Sequence, residues 1–202
     1  MSRLYLFFAL LLQFCFLFGQ DSLKYDKILK IENLKFKNNE IRVYKKYQTS
    51  TGLELFRFYQ DEKENWKAEF FETVAYGNNN DIKIRTRKSK LNSFKNFELI
   101  WAEILDTNVM YLPKWETFQY KLKKINKNYL IEDGEIYSST TIISILDSES
   151  FYVKIKNSSR ENEINYSNPE SYLKKYPDVD ELISFQELLH LIRNEFKIFI
   201  EN

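Results

Sequence analysis

From residue 40 onward, apolar and polar residues alternate. Ile41, Val43 and Tyr47 take turns with Arg42, Tyr44 and Lys46. Runs of the same kind cover 53–60, 66–76 and 82–88, separated by Thr49-Ser50-Thr51-Gly52, by 61–65 and by 77–81. A period of two places successive side chains on opposite faces of a strand. Polar loops of this length between such runs are hairpin connections. The pattern therefore predicts a four-stranded antiparallel meander.

Closing each hairpin at its loop gives a register. Val43 then faces Phe58, Phe58 faces Ala68, Phe56 faces Phe70, Val74 faces Ile84 and Tyr76 faces Ile82. These apolar residues share one side. Arg57 meets Glu69 on the other, and Glu54 opposite Glu72 is expected to reach solvent or to sit at a bulge. A slip of one residue would send a strand's apolar set to the wrong face.

Phe94, Phe97, Trp101, Ile104 and Leu105 recur at steps of three and four, which predicts an amphipathic helix capped by Ser93. In the second half, Phe118, Tyr120 and Leu122 alternate as in a strand. Glu132-Asp133-Gly134 reads as a turn, and 136–146 is β-branched and strand-like. Phe151, Val153 and Ile155 form another strand, and Ile164 and Tyr166 a last short one. Asn168-Pro169 opens a short helix that stops before Pro177. Ser184-Phe185-Gln186-Glu187 has capping-box spacing and opens a final helix with the stripe Phe185, Leu188, Leu189, Ile192, Phe196 and Phe199. Residues 21–37 fit a helix through Ile28, Ile31 and Leu34, and a strand through Leu34 and Phe36 equally well.

The fold class expected is α+β, with antiparallel meander sheets packed by amphipathic helices. Strands-then-helix occurs twice, over 40–108 and 115–200. A loose two-fold repeat is one arrangement. A single domain in which both helices cover one continuous sheet is the other, and 20–202 is read as that single domain.

The first nineteen residues stand apart. Residues 4–18 are apolar except Gln13, Arg3 precedes them, and Gly19 follows. Charge, apolar core and small residue in that order are a secretory signal, and the run falls short of the about 20 residues that span a membrane. Residues 1–19 are thus expected to be a signal peptide. The chain is expected to be exported to the periplasm or beyond, with no stable membrane span after cleavage. The Gln after the cleavage point and the bias to Lys, Asn, Ile, Phe and Tyr resemble exported bacterial proteins in style and point to no family.

Composition then narrows the chemistry. The only cysteine, Cys15, lies inside the signal, so the exported chain has neither disulfides nor thiol nucleophiles. Loss of Arg3 leaves 29 basic against 29 acidic residues, a poor basis for binding nucleic acid. Gly52, Gly77 and Gly134 stand singly, so no phosphate loop or dinucleotide fingerprint can be assembled. His190 is the only histidine and lies beside the apolar stripe of the last helix. It is read as a structural or surface residue, and no metal site or cofactor is expected.

One constellation remains. On the expected register the second sheet face carries Tyr44, Leu55, Tyr59 and Phe71 beside Arg57, Lys83, Arg85 and Arg87. An aromatic floor with a cationic edge suits an acidic glycan, a peptide or a protein, since rigid aromatics and arginine are good anchors. The alternative is that the N-terminal segment or the second half covers this face. The candidate ligand- or partner-binding residues are Tyr44, Arg57, Tyr59, Phe71, Arg85 and Arg87. The expected function is a non-catalytic binding module of the bacterial cell envelope, its ligand unknown. The alternatives are an interaction or inhibitor protein that inserts the hairpin tip 61–65 or 77–81 into a partner, and a carboxylate-based hydrolase.

Overall fold

The computed structural model describes residues 20–48, 50–77, 83–122, 128–139, 145 and 149–200. In chain order its elements are α1 (Gln20–Ile28), β1 (Glu40–Tyr47), β2 (Leu53–Gln60), β3 (Trp66–Tyr76), β4 (Lys83–Leu91), α2 (Phe97–Asp106) and α3 (Trp115–Phe118). A 3-10 turn at Gln119–Leu122 follows, then β5 (Asn128–Glu132), β6 (Glu135–Ser139), β7 (Glu149–Lys156), β8 (Glu161–Ser167), α4 (Pro169–Lys175) and α5 (Asp180–Phe196). The fold is α+β. Six strands make one antiparallel sheet in the order β4-β3-β2-β1-β7-β8, and among the described residues β5 and β6 pair only with each other. Strands from both halves of the chain share the large sheet through the β1–β7 ladder. The expected signal lies outside the described residues.

Alternation decides which face each strand buries. Ile41, Val43, Phe56, Phe58, Ala68, Phe70, Phe151, Val153, Ile155, Ile164 and Tyr166 form the larger core with α2 and α5. Helix α2 contributes Ile100, Trp101 and Ile104. Helix α5 contributes Leu182, Phe185, Leu188, Leu189, Ile192 and Phe196. Each such side chain contributes about 1.5–3 kcal/mol by leaving water. The rings interlock: Phe56 lies 4.9 Å from Phe196, and Phe58 lies 5.1 Å from Trp66.

Three local expectations need correction. Residues 117–122 are helical rather than extended. Phe118 and Leu122, four apart, are buried together, and Tyr120 between them is exposed. Helix α2 begins at Phe97, not at Ser93: the Asn96 side chain accepts the Glu98 amide at 2.7 Å, and Phe94 lies wholly in solvent. Helix α5 begins at Asp180, which puts Ser184 inside it, because Leu182 already belongs to the buried stripe. The 136–146 strand is seen only as β6; residues 140–144 and 146 lie outside the described residues.

The β2–β3 register is the expected one. Phe58 faces Ala68, Phe56 faces Phe70, Arg57 faces Glu69 and Glu54 faces Glu72. Val43 faces Phe56 rather than Phe58, a shift of two that leaves every side chain on its expected face. In the β3–β4 hairpin the shift is one. Val74 faces Arg85, Ala75 faces Ile84 and Tyr76 faces Lys83. That exchanges the two faces of β4: Lys83, Arg85 and Arg87 lie on the side of the main core, beyond the helices. Glu54 and Glu72 face each other without a bulge, because Arg87 donates twice to Glu72. Burial holds the Glu54 carboxyl above the usual range; Lys45 and the Tyr47 hydroxyl oppose the shift, and Glu72 and Glu149 add to it.

Candidate functional site

The second sheet face is covered by the N-terminal segment. Tyr25, Leu29, Ile31 and Leu34 pack on Tyr44, Leu53, Leu55, Phe71 and Tyr152. Tyr25, Tyr44 and Tyr152 form a ring cluster with centroids 5.6–5.8 Å apart. Residues 21–37, ambiguous in sequence, thus form α1 and an irregular strap. The strap crosses the sheet with Tyr25 and Leu29 inward and Ile28 outward.

Charged side chains fasten this strap. Glu40 is fully buried at the start of β1. Its Oε1 accepts from Arg42 Nε at 2.6 Å and Arg57 Nε at 2.8 Å, and its Oε2 from Arg57 Nη2 at 3.0 Å and the Lys37 amide at 2.8 Å. Arg42 also donates to the Leu34 carbonyl at 2.7 Å and to Asp26 at 3.2 Å. Arg57 reaches Glu69 at 3.2 Å, and Lys88 pairs with the same carboxylate at 2.8 Å. The Tyr44 hydroxyl donates to Asp26 at 2.6 Å. A buried charge is tolerated only when paired and hydrogen-bonded in this way. Burial pushes the Asp26 carboxyl up, against the Tyr44 hydrogen bond and the Arg42 charge. Burial acts the same way on Glu69, but Lys88 and Arg57 outweigh it and hold that carboxyl below the usual range.

At the strap's far end the cover stops short and leaves a cleft of about 560 Å³ between 33–37 and the β2–β3 hairpin. Lys35, Lys37, Lys63 and Lys67 stand around it, with Arg57 and Tyr59 at its base and Asp61 and Glu62 on its rim. The Arg57 guanidinium lies 3.8 Å from the Tyr59 ring centroid, a stacked cation–π pair. The rim is stiff: Asp61 Oδ1 accepts the Lys63 and Asn65 amides at 2.8 and 3.0 Å. The Lys67 hydrogen bond, with the Asn65 amide second, lowers the Asp61 carboxyl to about 2. Lys37 likewise lowers Glu62. Neither acid holds a proton near neutral pH, so neither is a general acid there.

The six expected site residues are therefore divided. Tyr44 and Phe71 lie beneath the strap, while Arg57 and Tyr59 sit on the same face at the base of the cleft. Arg85 and Arg87 are exposed on the opposite face, and the one-residue register shift is the reason. Sequence reasoning missed Glu40, Arg42 and Asp26, which pair within the cover, and Lys35, Lys37, Lys63 and Lys67, which surround the cleft. The signal for Arg42 was available: it alternates into the same phase as Arg57.

His190 is exposed on α5, with Gln186 Nε2 2.8 Å from its Nε2. Among the described residues no group of three His, Asp or Glu side chains is arranged to hold a metal ion, and no helix is long and apolar enough to cross a membrane. No protein-family model matches the chain, and neither a curated protein nor a solved structure matches it.

Proposed function

We propose that this chain is an exported, non-catalytic binding protein of the bacterial cell envelope, and that the lysine-rimmed cleft receives an anionic ligand of the acidic-glycan class. The observation that carries this reading is the convergence of Lys35, Lys37, Lys63, Lys67 and Arg57 on one cleft based on Tyr59. Lys37 and Lys67 are already paired, to Glu62 and Asp61. Lys35 and Lys63 are exposed, and among the described residues neither forms an ion pair, so they bring the available charge. A carboxylated sugar fits because its carboxylate meets ammonium groups, which act as point charges, while its hydroxyls can donate to Asp61 and Glu62 on the rim.

Titration calorimetry with a uronic-acid oligosaccharide, against a neutral oligosaccharide of equal length, tests the ligand class. The acidic sugar is expected to bind, more weakly as salt rises. Lys35→Glu with Lys63→Glu is expected to weaken it roughly tenfold or more while leaving the melting temperature in place. Equal affinity for both sugars, or indifference to the charge reversal, would sink the ligand assignment.

Export rests on residues 1–19. Intact-mass measurement of the released protein is expected to show a chain that starts near Gln20 and carries no acyl group. A mass that includes residues 1–19 contradicts cleavage.

A further inference from the structure

We infer that this chain associates with a second copy of itself by laying the β5–β6 hairpin of one molecule along the open edge of β4 in the other. The hairpin is well formed: Glu132 pairs with Glu135 around Asp133 and Gly134, both at positive φ, as a two-residue turn requires. Yet no strand of the main sheet pairs with it. Leu130 and Tyr137 share one of its faces, Tyr129, Ile131 and Ile136 the other, and all five are exposed. A lone two-stranded hairpin is at best marginal in water, and apolar side chains on both faces call for a cover.

The receiving edge has the matching features. Among the described residues β4 pairs with β3 only, which leaves the outer backbone groups of 84–91 open. It carries Lys83, Arg85, Arg87, Lys88 and Lys90; Arg87 and Lys88 already pair with Glu72 and Glu69, so Arg85 and Lys90 carry the charge that can meet a partner. Like charges set directly opposite one another oppose pairing of two β4 edges. The hairpin turn supplies the opposite sign in Glu132, Asp133 and Glu135. Apolar surface matches as well: Tyr76 and Ile84 are exposed on opposite faces of the β3–β4 ribbon, as on the hairpin. With 29 charges of each sign after loss of Arg3, two copies of the chain have no net repulsion to overcome. A bilayer is the weaker occupant, because the three carboxylates at the tip would have to enter it first.

Sedimentation of the exported protein up to about 200 μM measures this directly, since micromolar association is easily populated there. Concentration-dependent association is expected, weakening with salt. Glu132→Lys, Asp133→Lys and Glu135→Lys together are expected to weaken it at least roughly tenfold, and Arg85→Glu with Lys90→Glu to do the same. All five positions are exposed, and unchanged circular dichroism checks the fold of each variant. An equimolar mixture of the two variants is expected to associate like the original, because both of its hairpin–edge contacts join opposite charges again. A monomer throughout the range, a monomer that instead floats with anionic or zwitterionic vesicles, association untouched by either reversal, or a mixture that stays apart would each overturn the inference.

Discussion

Tyr59→Ser combined with Phe71→Ser is expected to destabilise the protein by about 5 kcal/mol, since truncating one buried aromatic costs about 3–5 kcal/mol. Phe71 is only 3% exposed and packs with Leu55 under the strap; Tyr59 carries the Arg57 guanidinium and donates to Glu69 at 3.3 Å. The two lie on one sheet face, so their effects need not add. For a chain of this length each kcal/mol moves the midpoint by about 2–4 °C, so a melting curve shows the loss as a drop of about 10–20 °C. Tyr120→Ser, at an exposed position, is the control and is expected to change stability by less than about 0.5 kcal/mol. A loss below about 1 kcal/mol for the double variant would mean that the strap is not docked on this face in solution.

That the first three strands were legible and the fourth was not has a physical cause. Strands β1 to β3 bury one face against the helices, so an odd slip would put Phe56, Phe58 or Phe70 in contact with the wrong layer. Strand β4 has little such constraint: of its five residues on the core face only Leu91 is even partly buried, and its polar side chains tolerate either orientation. Loop closure alone was the guide, and it was off by one. Leu91 held the missing information. It lies opposite Ala68 and packs on the main core, and the expected register would have turned it away. Anchoring the pairing at Leu91 places Arg85 and Arg87 on the face where they are found.

The strap was harder to read for a different reason. Tyr25, Leu29, Ile31 and Leu34 are apolar at steps that change from helical to irregular, so neither period fits the whole segment. Its second set of contacts is polar. Leu34 and Lys35 offer backbone carbonyls to Arg42 and Arg57, and no side-chain pattern encodes a carbonyl. Hence Arg57 read from sequence as part of a free cationic edge, while in the fold most of its donors, like those of Arg42, are engaged in holding the cover. The cleft followed from where the cover ends. Its base, Arg57 and Tyr59, was legible, and Lys67 opposite Tyr59 on β3 could have been read with them; Lys35 and Lys37 come from the strap and Lys63 from a hairpin loop, which strand alternation does not position.

Glu40→Ala tests the fastening and should be the most damaging single change on this face. Removing one partner of a buried pair leaves the others uncompensated, at about 3–5 kcal/mol. Here two guanidinium groups and the Lys37 amide lose their common acceptor, and both arginines are only 3% exposed. Glu40→Gln keeps the shape and part of the hydrogen bonding, and its loss should be smaller. A triple change of Glu40, Arg42 and Arg57 to Met removes the three central charges together and should recover part of the stability lost in Glu40→Ala, since Asp26 keeps the Tyr44 hydroxyl and Glu69 keeps Lys88. Limited proteolysis adds a local readout. If the arginines hold the strap, Glu40→Ala opens residues 24–37 to cleavage before the main sheet, whereas a general loss of stability exposes both together. Denaturant midpoints that fall equally for Glu40→Ala and the triple variant would show that packing, not charge, keeps the strap in place.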